Sequence, residues 1–438
     1  MDLLDLTVRF FSLSDINVRH VVAGSMLLGC LSGCLSTFVY LQKRSLLGDA
    51  LAHAALPGVG IAFLVVGTKD LLSLLIGAAV TAWLGALAVN FIVKRTIIKL
   101  DSALGIVLSG FFGLGTVILT YIQKSGSGSQ SGLDKFLFGQ AAALSGDDVR
   151  ILAWLTAVIL FFVIVGFNRF KLLSFDPGFA TTIGLNVNWL QFALTTMIVI
   201  AVVAGLQAVG VVLMAAMMIT PAAAARQWTE SFPLMTILSS VFGMISGVLG
   251  AYVSFLAPKF PTGPWIVVTV SAIFFVSVLF APGRGVISRL RRHLNQRRKM
   301  THDHVLKALY KAGLEENSWE GYYDRQDMTS RFRFQPSEIG PALNRLRREQ
   351  MIESTNGRFR LTAQGIEQGA RVIRLHRLWE VYLTRYLELP PDHVHRDAEE
   401  MEHVLTPEME ARLEEMLEYP QYDPHQQAIP YPGQESTT

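Results

Sequence analysis

About nine apolar stretches, each near the length of a bilayer-crossing helix, fill the first two thirds of this chain and leave little freedom in how it folds. They lie near residues 20–41, 50–67, 71–94, 102–123, 149–168, 189–206, 209–225, 234–257 and 264–281. Crossing a bilayer takes roughly 20 apolar residues in helical form. In hydrocarbon every backbone N–H and C=O must be satisfied inside the segment, so such stretches are read as helices. The second and seventh are short, and around Gly205–Gly210 two spans can also be read as one long helix. Charged residues are sparse from 20 to 282 and dense from 283 to 438. That asymmetry predicts an all-α polytopic membrane domain followed by a soluble one. A content of 51% hydrophobic residues and a mean hydropathy of +0.38 argue against a purely soluble protein.

The distribution of basic residues orients the spans. Lys43-Arg44, Lys94-Arg95, Arg169, Lys171, Arg226 and the run from Arg284 mark the cytoplasmic side. Lys69 and Lys124 fall on the opposite side. An odd number of crossings then gives an outside N-terminus and an inside C-terminus. Residues 1–19 carry Asp2, Asp5 and Arg9 and no small-residue cleavage site, so they are read as an interfacial segment rather than a cleavable signal. The membrane domain is placed at 20–282, followed by a basic linker at 283–299 that anchors against anionic lipid. A net charge of +3 is too small to imply nucleic acid by itself. Cys30 and Cys34, four apart in one span, suit helix packing better than a disulfide. The many glycines of the spans, Gly29, Gly33, Gly105, Gly110, Gly113 and Gly115 among them, are read as close helix contacts. Ser125–Ser131 is read as a flexible outer loop.

Two local patterns carry chemistry. Asp49 and His53 stand four residues apart in an apolar run, on one face of a helix. Ionisable groups at membrane depth are costly and usually face a polar pathway or a partner. A carboxylate with an imidazole suits a divalent transition metal, although a pair that only ties two helices together has the same signature. In the loop from Lys171 to Asn188, Asp176 can cap a short helix, Pro177 can occupy its first position, and Gly184 can end it. Such a helix, too polar to insert, is read as a docking element; a plain connection is the alternative.

Together these pieces resemble the permease subunit of the metal-type ABC importers. The resemblance is carried by Gly48-Asp49-Ala50-Leu51-Ala52-His53-Ala54 with Leu56-Pro57-Gly58, by Phe175-Asp176-Pro177 through Gly184, by Val209-Gly210 through Thr220-Pro221-Ala222-Ala223-Ala224-Ala225, and by Pro261-Thr262-Gly263-Pro264. It implies a multi-pass protein of the bacterial cytoplasmic (inner) membrane that carries manganese, iron or zinc. It also implies ABC ATPase subunits docked on the loop helix, an extracytoplasmic metal-binding solute-binding protein, and a second permease subunit, the same chain or a paralogue. Asp49 and His53 would be transient metal contacts, and Asp176, Pro177 and Gly184 the ATPase-coupling loop. The chain has no Gly-Lys dipeptide, hence no phosphate-cradling Walker loop, and no nucleophile–base constellation. It is therefore not expected to be an enzyme on its own.

The soluble part divides into a winged helix-turn-helix-like domain at 300–365, a helical metal-binding and dimerisation domain at 366–430, and a tail at 431–438. Val305–Ala312 and Glu338–Glu349 have helical periodicity, and Asn356-Gly357 predicts a tight turn before a strand at Phe359–Thr362. His376 with Glu380, then His395, Glu399, Glu402 and His403, repeat imidazole and carboxylate at helical spacing, which suits a divalent metal as well as a charged surface. The stretch resembles the diphtheria-toxin-repressor and manganese-repressor type of metal-dependent regulator, through Leu361-Thr362-Ala363-Gln364-Gly365, His376–Glu380, Val394–Glu399, Glu402-His403 and Pro424-His425 with Ile429-Pro430. The resemblance implies regulatory metal ligands at His304, His376, Glu380, His395, Glu399, Glu402 and His403, with manganese or iron ahead of zinc. Lys307 occupies a position where a second N-terminal carboxylate is expected, and Gly340-Pro341 interrupts the helix that would read DNA through Arg345 and Arg348. The expected function is a permease for manganese, iron or zinc with a fused metal-responsive domain; the alternative is a membrane-tethered, metal-dependent DNA-binding repressor.

Overall fold

The computed structural model describes residues 3–67, 71–124, 139, 144–208, 210–256, 261–316, 318–330, 336–390 and 407–432. The chain forms two compact units, Met1–Arg289 and Leu290–Thr438. The loop expected at Ser125–Ser131 lies outside the described residues, as does Lys69.

Among the described residues the regular structure of the first unit is helical: α1 (Leu3–Phe11), α2 (Ile16–Leu41), α3 (Leu47–Val66), α4 (Leu71–Arg95), α5 (Leu100–Lys124), α6 (Gly146–Val165), α7 (Phe167–Phe175), α8 (Pro177–Thr182), α9 (Val187–Ala208), α10 (Val211–Met217), α11 (Thr220–Trp228), α12 (Phe232–Leu256) and α13 (Thr262–Phe280). Eight of them, α2 to α6, α9, α12 and α13, are long and apolar enough to cross a membrane. The stretch 209–225, expected as a ninth continuous span, is instead divided into α10 and α11. Two residues explain the break: Ile219 leaves helical geometry at φ −135 and ψ −40, and Pro221 opens α11 without an N–H to give to the preceding turn, while Gly210, at φ +88, separates α10 from α9. Non-helical backbone at membrane depth is tolerated where protein covers it, and Met217, Met218 and Ala222 are buried here.

α1 is amphipathic as expected: Phe10 packs into Tyr252 and Phe255, while Leu4, Val8 and Phe11 are exposed. Cys30 and Cys34 are free thiols.

Small residues let the long helices meet backbone to backbone. Ser25, Gly29 and Gly33 of α2 face Gly247, Gly243 and Ser239 of α12, rung by rung in antiparallel order. A Cβ added at Gly243 would strike the Gly29 carbonyl oxygen, and one at Gly33 would strike that of Ser239. The Ser239 hydroxyl donates to the Gly33 carbonyl at 2.6 Å, and the Ser36 and Ser239 hydroxyls lie 2.9 Å apart. Gly58 of α3 meets Gly77 of α4 in the same way, and Gly115 of α5 sits on Leu56 and Pro57. Gly105, Gly110 and Gly113 do not fit the packing expectation within one chain: a Cβ there would meet nothing within 4 Å.

The second unit begins in the first turn of α14 (Val286–Glu315), so the basic stretch 283–299, expected as a linker, is largely helical. α15 (Arg325–Ser330), α16 (Pro336–Arg348), and the strands β1 (Ile352–Thr355) and β2 (Arg358–Leu361) follow. The hairpin is antiparallel, Ile352 opposite Leu361, and its turn uses Asn356 and Gly357 at φ +50 and +80, the pair that tolerates such angles. Leu306 and Leu309 of α14, Leu343 and Leu346 of α16, and Ile352, Phe359 and Leu361 of the hairpin close one core. Three helices followed by a hairpin is the order expected of a winged arrangement.

Thr362 caps α17 (Ala363–Tyr386), accepting from the Gly365 N–H at 3.1 Å. Arg371 and Arg374 of α17 then clasp Glu410 of α18 (Pro407–Met416) at 2.8 and 2.7 Å. Burial pushes the Glu410 carboxyl up, but the two guanidinium hydrogen bonds outweigh it and hold it below its ordinary value. A carboxyl lowered by folding contributes its full stabilisation above the unfolded value, about 4.3, and loses it as pH falls through the lower folded value. Hydrogen-exchange protection of α18 in the full chain is thus expected to be flat from neutral pH down to about 5 and to fall below about 4. Glu410→Gln, which leaves two arginines without their charge partner, is expected to cost roughly 3 kcal/mol at pH 7 by the same measurement.

Candidate functional site

In the membrane unit the site starts at the first turns of α3. Gly48 lies so near the break between α10 and α11 that a Cβ on it would stand 2.7 Å from the Met218 Cβ. The next residue is Asp49. One turn on, His53 directs Nε2 to Asp49 Oδ1 at 3.3 Å, and its ring meets Phe112 of α5 at 4.9 Å, near perpendicular. Asp49 and His53 side chains are 29% and 14% exposed. The His53 Nδ1 is buried and has no hydrogen-bond partner among the described residues. The pair is on one helix, so it does not tie two helices together. A carboxylate and an imidazole nitrogen at this distance offer an oxygen and a nitrogen donor to one small cation. No group of three or more metal-binding side chains comes together among the described residues. Two such donors alone would hold an ion loosely.

The broken helix beside Asp49 was not legible as a site element. Its signal was Pro221 inside an apolar run, visible in sequence but masked by composition.

At one end of the helices, α7, α8 and the turn after them form the loop expected as a docking element. Asp176 accepts from the Phe179 N–H at 2.8 Å, Pro177 takes the first helical position, and Gly184 follows at φ +84. Phe175, Phe179 and Ile183 are all more than half exposed, an apolar face on a polar loop. Arg44, Lys94 and Pro177 line one cavity, so the basic ends of α2 and α4 lie at the same end as this loop. Arg284 pairs with Glu230 and donates to the Arg226 carbonyl.

In the soluble unit His376 Nε2 lies 3.3 Å from Glu380 Oε1 on α17, with 3% and 1% exposure. Nitrogen and oxygen donors buried together suit manganese, iron or zinc. His304 is on α14. His395, Glu399, Glu402 and His403 lie outside the described residues. On α16 Ile339, Leu343 and Leu346 face the core and Arg348 points outward. Pro341 stands inside the helix. Arg345 donates to Glu349 at 2.8 Å, and Glu349 in turn meets His302 Nε2 at 2.9 Å. Burial pushes the Glu349 carboxyl up, while Arg345 and His302 outweigh it and hold it below its usual value. His302 also meets Asp303 at 3.0 Å, so it joins α14 to the end of α16; nothing in its sequence context had marked it.

Comparison with known proteins agrees with both units. Residues 14–281 match the family model described as the ABC 3 transport family. Residues 362–431 match that of the iron dependent repressor, metal binding and dimerisation domain. The chain is 44% identical over 374 residues to the manganese transport system membrane protein MntC of Bacillus subtilis, covering 85% of each. It is 43% identical over 285 residues to the zinc transport system membrane protein TroC of Treponema pallidum, covering 65% of this chain and 95% of that one. Among solved structures, PsaBC of Streptococcus pneumoniae in complex with Fab aligns with a TM-score of 0.57 at 31% identity, over 64% of this chain and 97% of that one.

Proposed function

Because the chain belongs to the ABC 3 transport family, we propose that it is the membrane-spanning permease of an ATP-driven importer of manganese, iron or zinc, with a metal-responsive unit on its cytoplasmic side. The observation that carries this reading is the Asp49–His53 pair set against the break between α10 and α11. Membrane transporters place cargo sites where a discontinuous helix leaves backbone beside ionisable side chains. The cation would meet the Asp49 carboxylate and the His53 imidazole, displace their mutual contact, and leave because no third His, Cys, Asp or Glu among the described residues closes around it. The relatives named for manganese and for zinc share these donor types, so they do not choose between the ions.

Separate ATPase subunits would grip the apolar face of α8, and a second permease would cover the open glycines of α5. A solute-binding protein would deliver metal at the far end. Removing the α8 cap with Asp176→Ala is expected to cost about 1 kcal/mol locally. Capture of the ATPase subunit by the full chain should weaken several-fold while the chain still inserts.

Energy-dependent uptake of radiolabelled manganese, iron or zinc by cells expressing the chain with its ATPase and solute-binding protein tests the whole reading. Absence of uptake for all three overturns it. In the soluble unit, the buried His376 and Glu380 would hold a regulatory ion. The winged arrangement with Arg348 outward favours a second reading, metal-dependent DNA binding by a tethered repressor. Full chain in lipid nanodiscs, titrated with manganese and with DNA from its own promoter, decides it: binding only with metal supports a repressor, and none at any metal level leaves feedback on transport.

A further inference from the structure

A cavity of about 390 Å³ opens between α4 and α9 at the end that carries the docking loop. Its chemistry is lopsided. Two cations, Arg44 and Lys94, are among its lining residues, and no acidic residue is. Lys94 is exposed and donates to Asn188 Oδ1 at 3.0 Å. Arg44 is half-buried, and among the described residues its guanidinium has no hydrogen-bond or ion-pair partner. Burial alone pushes its pKa down. A desolvated cation without a counter-charge is unfavourable, and an anion supplied from outside relieves it.

Away from these cations the lining carries apolar rings, with Gln191 and Thr195 beside them, whose side chains hydrogen-bond to each other at 3.2 Å. Trp83 and Phe192 meet edge to face at 5.6 Å, and Leu87 stands beside them among the lining residues. Lys94 and Trp83 are on one helix, so mouth and floor are separated by roughly 16 Å along its axis. That is longer than a phosphate group and suits a head with a chain attached. Leu87 and Phe192 are also about 40% exposed on membrane-spanning helices, so the wall continues into the lipid-facing surface. A soluble anion has no use for such walls, and an acidic side chain of a docked protein would not reach the floor.

We propose that this cleft binds an anionic phospholipid, with its phosphate between Arg44 and Lys94 and an acyl chain against Trp83, Leu87 and Phe192. Pro177 also lines the cavity, so the lipid head would sit beside the start of α8. The lipid supplies the negative charge that the chain itself does not offer there.

Native mass spectrometry of the full chain, exchanged into detergent with equal phosphatidylglycerol and phosphatidylethanolamine, tests the assignment. The unmodified chain should retain phosphatidylglycerol preferentially. Arg44→Gln with Lys94→Gln should reduce that retention about thirtyfold, and Lys94→Gln alone, at an exposed side chain, about fivefold. Retention of phosphatidylethanolamine should not change. Leu87→Trp, which fills the apolar end and leaves the charges in place, should also expel phosphatidylglycerol. Equal retention by the double variant overturns the proposal. So does loss of both lipids alike, or displacement by millimolar glycerol 3-phosphate, which would mark a site for a free phosphate. If the double variant weakens only ATPase capture and keeps its lipid, the cations serve protein docking and the proposal fails.

Discussion

Asp49→Ala is expected to lower metal uptake by about a hundredfold while the protein still reaches the membrane in normal amount. The expectation follows from how few donors are present. One carboxylate and one imidazole stand together beside the broken helix, and no third His, Cys, Asp or Glu joins them among the described residues. Losing the carboxylate leaves one nitrogen donor and no negative charge for a divalent ion to approach. His53→Ala should be milder, because the carboxylate remains. Asp49→Asn separates charge from shape: it preserves volume and one oxygen, and should resemble alanine if charge is what counts. Radiolabelled uptake together with membrane abundance by immunoblot checks all three. Unaltered uptake in Asp49→Ala removes this pair from the pathway and leaves the family assignment standing.

Gly243→Leu is expected to destabilise the membrane unit by at least about 3 kcal/mol. Where its Cβ must go, the Gly29 carbonyl oxygen already stands. Neither helix can yield without opening the adjoining Gly33–Ser239 and Ser25–Gly247 contacts. The readout is the melting temperature of the full chain in detergent. Gly110→Ala is the control: within one chain its Cβ enters open space and it replaces a flexible residue within a helix, so the melting temperature of the monomeric chain should be unchanged or raised by the equivalent of up to about 1 kcal/mol. Similar losses at the two positions would mean that close approach to the Gly29 carbonyl does not set the effect.

Features fixed by neighbours in sequence were legible before the structure. Asp176, Pro177 and Gly184 have the cap, start and stop they were expected to have. Asn356-Gly357 makes the hairpin turn, and the long apolar runs other than 209–225 form helices. What escaped depends on partners far away in sequence. Glycines of α2, α3 and α5 look alike as text, yet Gly29 lies under a backbone oxygen and Gly113 faces nothing. No local pattern links Arg371 and Arg374 to Glu410, and only folding brings them together. The break at Ile219 fooled an argument from composition, because an apolar run says how greasy a segment is and not whether its hydrogen-bond ladder is whole.

The meeting of α2 and α12 has a mechanical consequence. Its rungs recur every four residues, a step of roughly 6 Å along each axis. A smaller slide would drive a side chain into a carbonyl, so the two rods have one register and no neighbouring position to slip into. They make a rigid keel. Any shape change that lets cargo in on one side and out on the other must then be taken up elsewhere, and the interrupted α10–α11 pair, already without a continuous ladder, can bend there at less cost than an unbroken helix.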